Sequence, residues 1–170
     1  MNLIVCGLAD VRPLIAARQP SHLITLLDPA SMIDTPAPLA PDRHLRLGVN
    51  DIVEPMDDMV APDETVVGRI LAFGRTWNGD RPMLIHCWAG ISRSTAAAFL
   101  LACDGSPGVE ERAIARALRR AAPHASPNRR IVALADALMK RRGRMIAAVD
   151  AMGECDYAAA RPFDFPVRPS

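Results

Sequence analysis

Residues 82–103 constrain this chain more than any other stretch. A short apolar run, Pro82 to His86, passes through the loop Cys87-Trp88-Ala89-Gly90-Ile91 into Ser92 to Cys103, which is dominated by Ala, Phe and Leu. The first run is long enough only for a buried strand, and the second is a helix apolar enough to lie in a core. A strand, a tight loop and a central helix in that order belong to an α/β layer structure, in which the helix packs back on its sheet.

Other segments extend the pattern. Asn2 to Cys6 and Leu23 to Leu27 read as strands, and Leu45, Leu47 and Val49 alternate with Arg46, Gly48 and Asn50 as a third strand does. Helical spacing covers Val11 to Arg18, stopped by Gln19-Pro20, and Thr65 to Trp77, stopped by Asn78-Gly79. Val109 to Ala121 has Glu110 and Glu111 in its first turn and Arg119 and Arg120 in its last, as a helix dipole favours. One final helix is predicted from Asn128 to Met145 or beyond. Pro29 to Pro41, with four prolines, reads as loop. The expectation is an α/β fold with a small, largely parallel central sheet of four to five strands flanked by helices. A single domain spans 1–150, and 151–170 forms a C-terminal tail that packs in extended form or moves.

Composition narrows the function. At 170 residues and 50% hydrophobic content the chain fills one core. A net charge of +1 gives no global field to recruit nucleic acid or a membrane surface, so neither is an expected partner and any anion site is local. The basic residues are 19 Arg and one Lys, the mark of an Arg- and Ala-rich genome and hence of a bacterial source. With no basic leader and no long apolar run, the expected location is the cytoplasm. Cysteines at 6, 87, 103 and 155 show neither CxxC pairs nor ligand spacing, so neither a zinc site nor a disulfide framework is indicated and reduced thiols are expected; no cofactor is expected either.

The spacing Cys-x5-Arg lets a loop wrap a tetrahedral anion between sulfur and guanidinium. Three cysteines satisfy it, Cys6 with Arg12, Cys87 with Arg93 and Cys155 with Arg161, because arginine is so common here. The Cys6 loop contains Asp10, which repels an anion. The Cys155 loop begins with Asp156, has no glycine and follows no apolar strand. Only the Cys87 loop has no acid, offers small Ala89 and Gly90 where the backbone must turn inward, and lies between strand and helix. There the amides of Trp88, Ala89, Gly90, Ile91, Ser92 and Arg93 converge on one point, reinforced by the helix N-terminus. The same field favours the thiolate of Cys87 over the thiol. Arg93 meets two oxygens with its planar fork.

Around this loop, Ser92 is equally a helix cap, Ser94 can donate to the Cys87 sulfur, and His86 can brace the loop through its imidazole. Trp88 shapes the pocket mouth or packs on the surface. Displacing an ester oxygen at Cys87 calls for a carboxylic acid from another loop. Asp51, just past the third strand, stands at the carboxyl edge where the Cys87 loop lies; Asp57, Asp58 and Asp63 are rivals.

The residues Ile85-His86-Cys87, Gly90 and Ser92-Arg93-Ser94 resemble the H-C-x-x-G-x-S-R-S motif of the dual-specificity branch of protein tyrosine phosphatases. The resemblance reaches from about Leu45 to Leu138, taking in Val49-Asn50-Asp51 and Ser126-Pro127-Asn128. It implies a nucleophile at Cys87, phosphate held by Arg93, a general acid and base at Asp51, help from Ser94 in the second step, a supporting Asn128, and no metal. The implied substrate is a phosphorylated protein, phosphotyrosine above all, or a small aryl phosphate. The alternatives are a phosphoinositide or RNA phosphatase, a phosphate-reading module without turnover, and rhodanese-like sulfur transfer; the absence of lysine in the loop counts against the first.

Overall fold

The computed structural model describes residues 1–168. Five strands, β1 (Asn2–Cys6), β2 (His22–Leu27), β3 (His44–Gly48), β4 (Met83–His86) and β5 (Phe163–Pro166), form one sheet in the order β3-β2-β4-β1-β5. The first four are parallel, and β5 runs antiparallel to β1. Six helices flank them: α1 (Val11–Arg18), α2 (Glu64–Thr76), α3 (Arg93–Gly105), α4 (Glu111–Ala121), α5 (Arg129–Leu138) and α6 (Arg144–Asp150).

Parallel strands covered on both faces are predominantly apolar. All six residues of β2 and all four of β4 are buried accordingly. On one face α1 sets Val11 and Ile15 against Ile4, Cys6, Leu23 and Leu84. On the other, Leu3, Val5, Ile24, Leu26 and Ile85 meet the main core, in which α3 is buried from Arg93 to Cys103. The carboxyl ends of β1 to β4 share one edge of the sheet. Residues just past them, Gly7, Asp28, Val49 to Asp51, and Cys87, therefore come together there.

Two segments differ from the pattern that periodicity suggests. The single helix expected over 128–145 is α5 and α6 with a break between them. The buried Asp136 carboxylate accepts from the backbone N–H of Gly143 at 2.7 Å and of Met145 at 2.8 Å, while Lys140, Arg142 and Gly143 take positive φ. That turn folds α6 back on α4 and α5 and buries Met145, Ala148 and Val149. Within the expected tail, Phe163 and Phe165 point into the core while Asp164 and Pro166 face out, so 163–166 adds β5 to the sheet edge. The last two residues of that segment lie outside the described ones.

Glu111, 3% exposed at the start of α4, ties the break down. It accepts from Arg141 Nη1 at 2.9 Å and Arg144 Nε at 3.0 Å, and Arg141 Nη2 reaches the carbonyl of Cys103 at 2.9 Å. Burial alone raises the Glu111 pKa, but the guanidinium hydrogen bonds outweigh it and hold the carboxyl below its usual range. Its stabilisation is thus complete above the unfolded pKa and is lost as pH falls through the lower, folded value. Glu111→Gln is expected to lower unfolding free energy by roughly 3 kcal/mol at pH 7. In denaturant titrations the gap between variant and wild type should shrink below pH 4; an unchanged gap there means the pair does not carry the stability.

Candidate active site

The loop from Cys87 to Ser92 is held by its carbonyls, which are tied to the scaffold behind it. His86 Nδ1 lies 3.3 Å from the Cys87 carbonyl, and Leu8 N–H donates to that of Trp88 at 3.0 Å. The N–H of Ser126 donates to Ile91 O at 2.9 Å, and that of Asn128 to Ser92 O at 3.2 Å. Because each peptide unit is planar, carbonyls turned outward leave amides turned inward. Gly90, at φ +75°, packs so closely on β1 that a Cβ there would lie 2.6 Å from the carbonyl carbon of Cys6. Only glycine satisfies both the backbone angle and the space.

Cys87 is 2% exposed, with Ser94 Oγ 3.1 Å from its sulfur. Arg93, also buried, spends Nη1 on Asp28 Oδ1 at 2.9 Å and on the carbonyl of Val49 at 2.7 Å. Its Nε is buried with no hydrogen-bond partner. An unpaired buried N–H is costly, and this one belongs to a guanidinium lining the same cavity as Cys87. The arrangement fits an oxyanion that completes the Arg93 fork.

Asp51 is where the spacing places it, on the rim of that cavity. Both of its hydrogen bonds fall on Oδ1, from Ser92 Oγ at 2.7 Å and Asn128 Nδ2 at 2.8 Å, and Oδ2 has no hydrogen bond among the described residues. Ser92 occupies the N-cap position of α3, but its hydroxyl serves Asp51 and makes no capping bond. The loop carrying Asp51 is pinned at both ends by Asn50, whose N–H donates to Val60 O and whose Oδ1 accepts from Val60 N–H, each at 2.8 Å. Of the rivals, Asp63 caps α2 through Val66 N–H, and neither Asp57 nor Asp58 lines the cavity.

The cavity, of about 720 Å³, is bounded by Ile52, Val53 and Met56 on the acid loop, by Trp88, and by Tyr157 from the C-terminal segment. Trp88 lines the cavity and is 59% exposed. Tyr157, 61% exposed, was invisible to spacing. It is set there because Asp156 N–H donates to Pro123 O and the Asp156 carboxylate caps its short turn. Glu54 adds a second acid to the wall, and Arg129, the other cation there, is paired with Asp150. Asp28 and Glu54 likewise carried no local signal.

The other three cysteines do not line the cavity. Cys6 faces the α1 side of the sheet, and burial, followed by the charges of Asp10 and Cys87, pushes its thiol pKa well up. Cys103 is pushed up likewise, mainly by burial. Cys155 is half-buried and is absent from the cavity wall.

No protein-family model matches the chain, and no curated protein matches it in sequence. Solved structures do share its fold. DUSP15 is 20% identical with a TM-score of 0.60, over 87% of this chain and 88% of that one. The PTP-2 phosphatase of Cydia pomonella is 18% identical at 0.57, over 78% and 83%. PTPMT1, solved in complex with PI(5)P, is 14% identical at 0.59, over 88% and 91%. At such identities the likeness is one of fold.

Asp28 neutralises a buried guanidinium whose fork is half empty. Asp28→Asn is therefore expected to lower stability by roughly 2 kcal/mol, a deficit that saturating tungstate narrows by supplying negative charge at Arg93. Thermal unfolding with and without the oxyanion measures both; a deficit that tungstate leaves untouched places Asp28 outside the anion site.

Proposed function

We propose that this chain is a phosphatase that hydrolyses phosphomonoesters through a cysteinyl-phosphate on Cys87. The observation that carries the reading is one cavity lined by Cys87, by Asp51 and by buried Arg93, whose Nε has no partner among the described residues. The shared fold of DUSP15 and PTP-2 supports it.

In the first step the Cys87 thiolate attacks phosphorus, an S–P bond forms, and the P–O bond to the leaving group breaks. Protonated Asp51 gives its proton to the departing oxygen, so no free alkoxide or phenoxide is released. The loop amides and the Arg93 fork hold the equatorial oxygens as charge builds on them. In the second step Asp51, now a carboxylate, takes a proton from water as that water attacks phosphorus. The S–P bond breaks, inorganic phosphate leaves, and Ser94 Oγ–H, 3.1 Å from the sulfur, stabilises the returning thiolate.

The cavity wall favours an aryl monophosphate, as in a phosphotyrosine side chain, over a headgroup bearing several phosphates. Around the anion seat lie Trp88, Tyr157, Ile52, Val53 and Met56, with Asp51 and Glu54 as the charged additions and Arg129 already paired. Apolar and aromatic walls suit a phenyl ring; the Glu54 carboxylate repels a second phosphate. PTPMT1 was solved with a phosphoinositide, which makes that lipid the reference substrate for comparison.

Two tests follow. Cys87→Ser should abolish turnover and still bind tungstate, because the amides and Arg93 remain, whereas Cys6→Ser and Cys155→Ser should stay active. A dead Cys6→Ser enzyme with an active Cys87→Ser enzyme would reassign the nucleophile. Asp51→Asn should slow a phosphotyrosine peptide by roughly 10²-fold, and an aryl phosphate with a low-pKa leaving group much less, since a good leaving group needs little protonation. Equal losses on both substrates would remove Asp51 as the acid.

A further inference from the structure

Behind the Cys87 loop a line of buried polar side chains crosses three strands. Thr35 Oγ1 lies 3.0 Å from His44 Nδ1, and His44 Nε2 lies 2.8 Å from Thr25 Oγ1. Thr25 Oγ1 lies 2.7 Å from His86 Nε2, and His86 Nδ1 lies 3.3 Å from the Cys87 carbonyl. His86 and Thr25 are fully buried and His44 is 7% exposed. The line starts in the proline-rich loop before β3, passes through β3, β2 and β4, and ends on the residue that carries the nucleophile.

Donor and acceptor bookkeeping leaves one arrangement of protons. A carbonyl only accepts, so His86 carries its proton on Nδ1. Neutral His86 then accepts at Nε2 from the Thr25 hydroxyl. Thr25 has a single proton and has given it away, so its oxygen must accept from His44 Nε2–H. Neutral His44 accepts at Nδ1 from the Thr35 hydroxyl. A second proton on either ring adds a fifth hydrogen to four links and turns the Thr35 hydroxyl hydrogen out of the line. Both rings are kept neutral by their surroundings. Burial, and after it the charge of Arg46, brings His44 down to about 4. Burial brings His86 to the same value, with His44 and Arg93 adding to it against the Cys87 carbonyl.

We infer that Thr25, His44 and Thr35 are positioning residues that act through His86 to fix the peptide plane between Cys87 and Trp88. The Cys87 carbonyl and the Trp88 N–H share that rigid plane. Holding the carbonyl toward His86 turns the N–H to the opposite side, toward the anion seat. Thr25 is the pivot, because it alone orients both rings, and it does so from the middle of a neighbouring strand with no contact to the substrate. The inference rests on the reading of the Cys87 loop as the anion seat.

The imidazole nitrogens test it directly. In the uniformly ¹⁵N-labelled full chain at pH 7, long-range proton–nitrogen correlation spectra should show His86 neutral with its proton on Nδ1 and His44 neutral with its proton on Nε2, the two opposite tautomers. His44→Gln assigns the signals. Thr25→Val should scramble the His86 tautomer and weaken tungstate binding by roughly tenfold, the net worth of one hydrogen bond, while Thr25→Ser restores both. A wild-type His86 protonated on Nε2, or doubly protonated at pH 7, overturns the inference whether or not Thr25→Val folds. So does a folded Thr25→Val protein with wild-type tungstate affinity. The expected tautomers and tungstate response in a chain that hydrolyses no phosphomonoester would support the relay and overturn the catalytic reading.

Discussion

Asn128 is the joint on which the site depends. Its N–H holds the Ser92 carbonyl at the end of the anion loop, and its Oδ1 caps α5 by accepting from Arg130 and Ile131 N–H at 3.1 Å. Its Nδ2 donates to Asp51 Oδ1 and to Ile52 O on the acid loop. One buried side chain thus spends every polar atom it has on joining three pieces that sequence separates widely. An amide is required for this, since only an amide offers an acceptor and two donors in one plane. Arg130 reinforces the joint from the next position, with Nε donating to Pro62 O at 2.6 Å.

Charge at the site follows the same economy of partners. The protein leaves an arginine buried and compensates only part of it: Asp28 and a carbonyl take Nη1, while Nε has no partner among the described residues. A fully satisfied arginine would be more stable and would bind nothing. An unpaired polar group in a folded chain calls for an explanation, and a ligand is the one proposed for Arg93.

How much of this was legible in the sequence depended on distance along the chain. The Cys87 loop stood out because a strand runs through an acid-free, glycine-containing turn into a helix, all within one short stretch. Asp51 and Asn128 lay outside it and were found through loop position and motif resemblance. Asp28 and Thr25 were out of reach, since their roles need β2 to lie between β3 and β4, and periodicity does not state strand order. His44 and Tyr157 looked like an ordinary strand end and an ordinary tail residue. The break between α5 and α6 was hidden for a related reason: Asp136 has a helical residue's spacing, and only the folded chain shows its carboxylate capping the next helix. The edge strand β5 did leave a signal, the alternation of Phe163 and Phe165 with Asp164 and Pro166.

The placement of β1 has a consequence for the order of assembly. The neighbours of β1 are β4, with Leu3 opposite Met83, and β5, with Asn2 opposite Pro166. Neither pairing is local, and loop-closure entropy delays contacts of such separation. β2, β3 and β4 can associate before β1 is fully enclosed, but the anion loop cannot take its final shape without it, because Leu8 holds the Trp88 carbonyl and Cys6 lies against Gly90. The turn that would carry the chemistry is therefore moulded against residues far from it along the chain, and takes its shape only once β1 has found β4.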